Sequence, residues 1–182
     1  RWLDVTKSTM LFSRGIILVE GIAEALVIPR LAELVLKKYN DERNDAQKLG
    51  VSLDEMGISI ININGINFKY FMKLFGNFQG SSGPCIPIYC AGITDRDPEK
   101  SVFPKIGEAV EGQNPALEYA EEINSTERTR LYTSPLKTFE YDLAIYNPVC
   151  FANVLKQLWR TKDGPVCNEL DEIIQRSGRY DS

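Results

Sequence analysis

Two apolar runs of the sequence each end in a pair of carboxylates, and this arrangement restricts the fold more than any other feature. The first run, IILVEGIAE, stops at Glu20, and Glu24 follows four residues later. The second, IPIYCAGITDRDP, stops at Asp95 and Asp97. Short runs that are apolar on both faces are typical of buried strands in a parallel sheet. If the two strands are neighbours, all four carboxylates meet at one edge of that sheet.

Strands that alternate with helices predict βαβ units and therefore an α/β fold with a parallel sheet. Ligands on such sheets bind outside the carboxyl ends of the strands, where both acidic pairs are expected. Residues 98–130 break the alternation, so we interpret them as an insertion or lid, and residues 79–84 as a flexible surface loop. The predicted strands are 15–19, 57–63, 86–93 and a weak 131–134, and the predicted helices are 22–39 (kinked or broken at Pro29), 67–77, 115–122, 137–144, 150–160 and 169–176.

The four carboxylates need a counter-charge if they converge. Two carboxylates about 4 Å apart repel each other by about 4 kcal/mol at an effective dielectric constant near 20. Their pKa values would rise unless a cation joined them, and oxygen ligands favour Mg²⁺ or Mn²⁺, with Ca²⁺ able to occupy the same place. An alternative is that each acid only caps a helix or forms a turn. The occurrence of both pairs at equivalent strand ends favours the metal site.

The composition excludes several other chemistries. The 182 residues contain no histidine, which removes Ser-His-Asp and Cys-His catalysis and histidine-based zinc sites. The four cysteines form no CxxC pair, so we expect reduced, partly buried thiols in a cytoplasmic protein. The net charge of −4 argues against a surface built for nonspecific nucleic-acid binding, although it leaves room for a local basic groove. No apolar run is long enough to span a membrane.

Four segments in order, LVEGIAEALVIPRLAE, GISIININGINFKYFMKLF, ITDRDP and KTFEYDLA, resemble the Toprim region of the OLD (overcoming lysogenization defect) family nucleases. The resemblance covers roughly residues 2–159. It implies a Toprim-like, Rossmann-like parallel sheet flanked by helices at 13–146, with the insertion at 98–130 and a helical tail at 147–182. Residues 1–12 then end an upstream linker, because an ABC-type ATPase domain precedes the Toprim region in that family. The start at Arg1 led us to expect a fragment of a longer protein.

The resemblance also implies an activity and a set of residues. It implies a bacterial, Mg²⁺- or Mn²⁺-dependent DNA endonuclease that uses two metal ions. Glu20 and Asp95 are expected nearest both ions and are therefore the catalytic acids, and Lys137 is the candidate catalytic lysine; its alternative is a surface lysine beside a helix start. The metal-ligand candidates are Glu20, Glu24, Asp54, Asp95, Asp97 and Glu140. Asp54 could equally be a turn residue and Glu140 a capping acid.

Three alternatives for the function stay open at this stage. Other Toprim chemistries are primer synthesis and topoisomerase strand passage, the latter with a tyrosine nucleophile. A Toprim-like fold can also be a non-catalytic scaffold for oligomer contacts, and homo-oligomers remain open. Candidate phosphate contacts for DNA, which are more often solvated surface charges, are Arg96, Lys100, Lys105, Arg128, Arg130 and Lys137.

Overall fold

A computed structural model describes residues 8–78, 83–160 and 163–177. Most of the linker expected at 1–12 and of the loop expected at 79–84 lies outside the described residues. The four cysteines are free thiols, as expected. Burial raises the pKa of the Cys90 thiol to about 12, so this thiol stays protonated and behaves as a small apolar side chain. None of the helices in the described ranges is long and apolar enough to cross a membrane.

The sheet has four parallel strands in the order β2-β1-β3-β4. The strands are β1 (Gly15–Val19), β2 (Ile58–Asn62), β3 (Tyr89–Thr94) and β4 (Thr129–Thr133). This architecture confirms the predicted α/β class. It also confirms the condition on which the metal hypothesis rests, because β1 and β3 are hydrogen-bonded neighbours.

Helices connect the strands and form a tail after the sheet. The helices are α1 (Ile22–Asp41), α2 (Phe68–Met72), α3 (Ala120–Asn124), α4 (Phe139–Tyr146), α5 (Pro148–Leu158) and α6 (Pro165–Ser177). Short 3₁₀ turns lie at Thr9–Phe12, Asp45–Gln47 and Pro115–Tyr119. Helix α1 packs on β1 and β2, whereas α5 packs mainly on α6.

The main core lies on one face of the sheet. Alternate residues of the strands point to this face because side chains alternate along a strand. They meet the aromatic residues of the α2 region and two residues from the connection between β3 and β4. Buried members of this core include Ile16, Leu18, Ile61, Phe68, Phe71, Phe75, Ala116, Ile123 and Leu131.

Three details differ from the sequence-based expectations. Helix α1 continues through Pro29, so this proline does not break it. Strand β3 begins at Tyr89 rather than at 86, because Tyr89 is the partner of Gly15, the first residue of β1, and Pro87 has no N–H to donate. The connection at 98–130 is not simply a lid, since its Ala116 and Ile123 are buried in the core.

Candidate metal centre

Two acidic side chains meet where β1 and β3 end. The two strands are parallel, and Val19 of β1 is the partner of Ile93 of β3. The residues that follow, Glu20 and Asp95, therefore leave the sheet at the same edge. The backbone N–H of Asp95 donates a 3.1 Å hydrogen bond to Oε1 of Glu20. The fold thus brings together the two acids expected to lie at the centre of the site.

Two uncharged polar residues complete the surroundings of Glu20. The hydroxyl of Thr94, a side chain that is 1% exposed, donates to Oε1 of Glu20. Nδ2 of Asn114 lies 3.1 Å from the same oxygen, 3.2 Å from Oγ1 of Thr94 and 3.2 Å from Oδ2 of Asp97. Asn114 therefore links the carboxylate that follows β1 to the second acid that follows β3.

Asp95 is held from the other side by the segment after β4. Its Oδ1 accepts a 2.8 Å hydrogen bond from the backbone N–H of Phe139 and a 3.2 Å bond from the hydroxyl of Ser134. Phe139 is the first residue of α4, so its N–H has no partner within the helix. The carboxylate of Asp95 thus stabilises the start of α4 and is oriented by it.

Burial raises the pKa of both central acids. The pKa of Asp95 rises to about 7, chiefly by desolvation and further by the charges of Glu20 and Asp97, while the hydrogen bonds from Phe139 and Ser134 oppose the rise. The pKa of Glu20 also rises, first by desolvation and then by the charge of Asp97. Both carboxylates are thus costly to ionise in place, and a bound cation would offset that cost.

Asp97 lies in a tight turn that other backbone groups support. Its φ of 47° is left-handed, a region in which Asp and Asn are the non-glycine residues most often found. The N–H groups of Arg96 and Asp97 both donate to the carbonyl of Lys137, at 2.9 and 3.2 Å. The segment before α4 therefore fixes the turn that carries the second acid of the Asp-x-Asp pair.

Glu24 lies in the first turn of α1 and is 6% exposed. A Cβ placed on Gly21 would lie 3.2 Å from Oε2 of Glu24, so this carboxylate folds back over the helix start. There it benefits from the unpaired N–H groups and the positive end of the helix dipole. The first turn of α1 follows the end of β1, so Glu24 lies on the carboxyl side of the sheet.

The other two predicted ligands and the predicted catalytic lysine lie in different surroundings from the two central acids. Asp54 is an exposed residue of the turn before β2, so it lies at the amino edge of the sheet, and the structure does not bring it into the cluster. Glu140 is exposed in the first turn of α4, one residue after Phe139. Lys137 has its carbonyl at the site, but its Nζ donates to the carbonyls of Lys100 and Val102 at 3.1 and 2.7 Å.

The three arginines expected to contact DNA phosphates lie where the structure does not support that role. Arg96 is half-buried, and its guanidinium donates to the carbonyls of Ser134 and Val110, both at 3.0 Å. Its guanidinium therefore links the segment after β4 to the 98–130 connection. Arg128 and Arg130 lie at the start of β4, so they are at the opposite edge of the sheet from the acids. Lys100 and Lys105 are exposed on the 98–130 connection.

The residues present fit a hard divalent cation, because carboxylate oxygens surrounded by hydroxyl and amide groups are what Mg²⁺ and Mn²⁺ prefer. Within residues 8–78, 83–160 and 163–177, no three Asp, Glu, His or Cys side chains stand together as ready ligands. The hydrogen bonds just described engage one oxygen of each central carboxylate, Oε1 of Glu20 and Oδ1 of Asp95. A cation would therefore be held through the second oxygen of each carboxylate.

Sequence reasoning missed the uncharged members of the site. Thr94 directly precedes Asp95. The signal available in the sequence was a hydroxyl residue at the end of an apolar strand, next to a predicted metal ligand. Asn114 and Ser134 carry no such signal, because only the fold brings them to the acids. Asp142 was missed too: it is 8% exposed and accepts the N–H groups of Leu136 and Lys137 at 3.3 and 3.2 Å, which fixes the segment before α4.

A four-stranded parallel sheet in this order, with a glutamate after β1 and an Asp-x-Asp after β3, defines a Toprim-type domain. Residues 11–97 match the family described as "Overcoming lysogenization defect protein-like, TOPRIM domain". This match confirms, over residues 11–97, the resemblance noted in the sequence.

A solved structure supports the fold over a longer stretch. The C-terminal region of the OLD protein of Xanthomonas campestris pv. campestris superposes with a TM-score of 0.56 and 23% identity, over 92% of this chain and 72% of that one. At this identity the similarity shows the fold alone, and it extends well beyond residue 97. No curated protein sequence matches the chain.

Proposed function

We propose that this chain is the catalytic region of a metal-dependent DNA nuclease that cleaves phosphodiester bonds with Mg²⁺ or Mn²⁺. The observation that carries the proposal is the hydrogen bond from the Asp95 N–H to Glu20 at 3.1 Å, which joins two acids of raised pKa at one sheet edge. A cation beside the pair would offset the cost of ionising both acids. The OLD-like Toprim match supports a nuclease among the metal-dependent activities.

The proposed roles follow the positions of the acids. Glu20 and Asp95 would lie nearest the reacting phosphate, while Asp97 and Glu24 would complete the metal coordination from the two sides. Two bound ions in this family's chemistry would activate a water molecule and stabilise the leaving oxygen of the DNA strand. Asp54 and Glu140, placed as described above, are not needed for this assignment.

Lys137 remains our candidate for neutralising charge on the scissile phosphate. Its ammonium binds two carbonyls of the exposed segment 100–102 and lies 4.4 Å from the ring centroid of Phe103. To reach a phosphate, the ammonium has to exchange those carbonyls for phosphate oxygens. Its backbone is already at the site through the bonds to the 96–97 turn, so only the flexible side chain has to move.

We further propose that the chain works with an ATPase domain preceding it in a longer protein. Support comes from the similarity to a C-terminal region of an OLD protein and from the family match. The role of DNA as the partner rests on the same family match. Arg96 donates to two carbonyls, whereas Lys100 and Lys105 of the 98–130 connection are exposed candidates for phosphate contacts.

The test is a plasmid-nicking assay with Mn²⁺, Mg²⁺ or EDTA. We expect metal-dependent nicking that Glu20→Gln or Asp95→Asn lowers at least about 100-fold, the size typical for removing a group that stabilises a transition state. Glu33→Gln is the matched control, since Glu33 is on α1 in an exposed ion pair with Arg30 at 2.9 Å. Relaxed, religated circles would indicate a topoisomerase instead. Folded protein without metal-dependent cleavage would favour the non-catalytic scaffold.

A further inference from the structure

Asn114 is a buried polar residue whose side-chain amide makes hydrogen bonds through both its oxygen and its nitrogen. It is 3% exposed, and its Oδ1 accepts the N–H of Ala116 at 2.9 Å. Its Nδ2 faces Glu20, Thr94 and Asp97 at 3.1 to 3.2 Å. Carboxylates only accept hydrogen bonds, so the amide must present its N–H₂ to the two acids and its oxygen to the backbone.

The backbone around Asn114 is fixed to both the site and the core. The N–H of Gln113 donates to the carbonyls of Arg96 and Asp97, both at 3.1 Å, and the N–H of Asn114 donates to the carbonyl of Arg96 at 3.3 Å. Two residues later, Ala116 is buried in the core. The side chain therefore reaches the acids from a rigid support and not from a mobile loop.

We propose that Asn114 is the positioning residue that sets the spacing of Glu20 and Asp97, so that the pair is preformed for a divalent cation. This inference rests on the proposed metal-dependent function. The physical reason is that one neutral amide donor lies between the two carboxylates and holds them at a fixed separation. Without it, repulsion would drive them apart, and a cation would have to bring them back on binding.

The chain offers variants that separate this role from helix capping. Asn114 precedes the 3₁₀ turn Pro115–Tyr119 and caps it. Asn114→Ser keeps a capping oxygen but does not extend an N–H₂ group to the acids. Asn114→Ala loses both functions. Asn114→Asp keeps the cap and the size of the side chain but replaces the donor with a third negative charge facing Glu20 and Asp97.

The experiment is calorimetric titration of the protein with MnCl₂ alone, together with thermal unfolding in EDTA. A positioning role predicts that the Ser and Ala variants both raise the dissociation constant for Mn²⁺ about 10-fold, the lower end of the effect for outer-sphere residues. It also predicts that Asn114→Asp melts lower than the parent in EDTA and gains more stability from Mn²⁺. A purely structural cap predicts weaker binding in the Ala variant only, and that result would overturn the inference.

The outcomes also separate this inference from the proposed function. If the parent binds Mn²⁺ but never nicks DNA, the nuclease proposal fails, while the binding constants still decide the role of Asn114. If the parent nicks DNA and Asn114→Ser binds Mn²⁺ as tightly as the parent, only the positioning role is lost. A parent that binds no Mn²⁺ overturns both.

Discussion

The backbone N–H of Asp95 donates to the Glu20 carboxylate at 3.1 Å, so the acid that follows one strand is held by the backbone that follows its neighbour. This contact depends on the parallel register that pairs Val19 with Ile93. A slip of one residue would turn each side chain to the opposite face of the sheet. The relative position of Glu20 and Asp95 is therefore fixed by the pairing of β1 with β3. A substitution of either acid should leave that strand pairing unchanged.

The metal-free protein should lose stability as the pH rises from about 4 to about 7. The pKa of Asp95 is about 7 in the folded protein and 3.8 when unperturbed, so the folded state holds a proton that the unfolded state releases over this range. The raised pKa of Glu20 acts in the same direction. We expect a loss of about 1–2 kcal/mol, reduced by partial solvent screening.

Urea unfolding in EDTA at pH 5 and pH 8 measures this loss. Asp95→Asn should flatten the dependence, because the amide does not titrate. The affinity for Mn²⁺ should change in the opposite sense and increase through pH 7, since the proton and the metal compete for the same oxygens. A metal-free parent that is equally stable at both pH values would contradict the prediction.

Thr94→Val should weaken Mn²⁺ binding more than Thr94→Ser does. Valine keeps the shape of threonine but leaves Glu20 without the hydroxyl donor and Asn114 without the oxygen at 3.2 Å. Loss of a buried hydrogen-bonding partner costs about 1–3 kcal/mol. Serine keeps the hydroxyl and loses only a methyl group, about 1 kcal/mol. Titration with MnCl₂ and urea unfolding check both, and equal dissociation constants for the two variants would refute the role given to the hydroxyl.

Gly112→Ala should destabilise the protein and weaken metal binding together. A Cβ at this position would lie 2.7 Å from the carbonyl oxygen of Arg96 and would also collide with Leu117. The Leu117 side chain could turn away, but the carbonyl belongs to the turn that carries Asp97. We expect a cost of about 1–3 kcal/mol, as for other overpacked sites.

Gly83→Ala is the matched control, because no heavy atom lies within 4 Å of the Cβ it would add. Thermal unfolding and titration with MnCl₂ compare the two variants. If Gly112→Ala were as stable as the control, the backbone at 112 would have to be free to move, and the support described for Asn114 would be wrong.

Lys137→Gln should slow DNA nicking about 100-fold without changing the affinity for Mn²⁺. The ammonium is proposed to meet the phosphate, and loss of one such charge typically costs 10²–10³ in rate. Lys105→Gln is the control, since Lys105 is an exposed lysine of the 98–130 connection, whose residues 100 and 102 the Lys137 ammonium contacts. Nicking rates at saturating Mn²⁺ and calorimetric binding constants separate the two effects. Equal loss in both variants would indicate only general attraction of DNA.

The predictability of the fold differed from strand to strand. Strand β1 has the predicted bounds, because its five residues are apolar and a glycine and a glutamate bound it. Strand β3 was predicted too long at its start, since its beginning is set by its partner in β1 and not by its own composition. Of the kink or break expected at Pro29, the break was wrong, because packing of α1 on the sheet outweighs one missing hydrogen bond.

The site was predictable only where one short segment carries the signal. Glu20, Asp95 and Asp97 follow strands directly, so hydrophobic pattern and topology place them together. Asn114 is 17 residues from Asp97 and reaches it through a connection whose course no local pattern reveals. Asp54 was predicted from its local sequence, which resembles a family motif. The structure places it before β2, at the edge of the sheet opposite Glu20 and Asp95.

The left-handed backbone of Asp97 limits what random mutation can do at this position. One base change in an aspartate codon yields Asn, Gly, Ala, Val, Glu, Tyr or His. At a φ of 47° Asn, Gly and, less often, His are the residues that fit with least strain, and none of them keeps the negative charge. Glutamate keeps the charge but adds strain and length. No residue that one base change can introduce at position 97 therefore preserves both the backbone conformation and the charge, so a library of single-base variants selected for metal binding should recover aspartate alone.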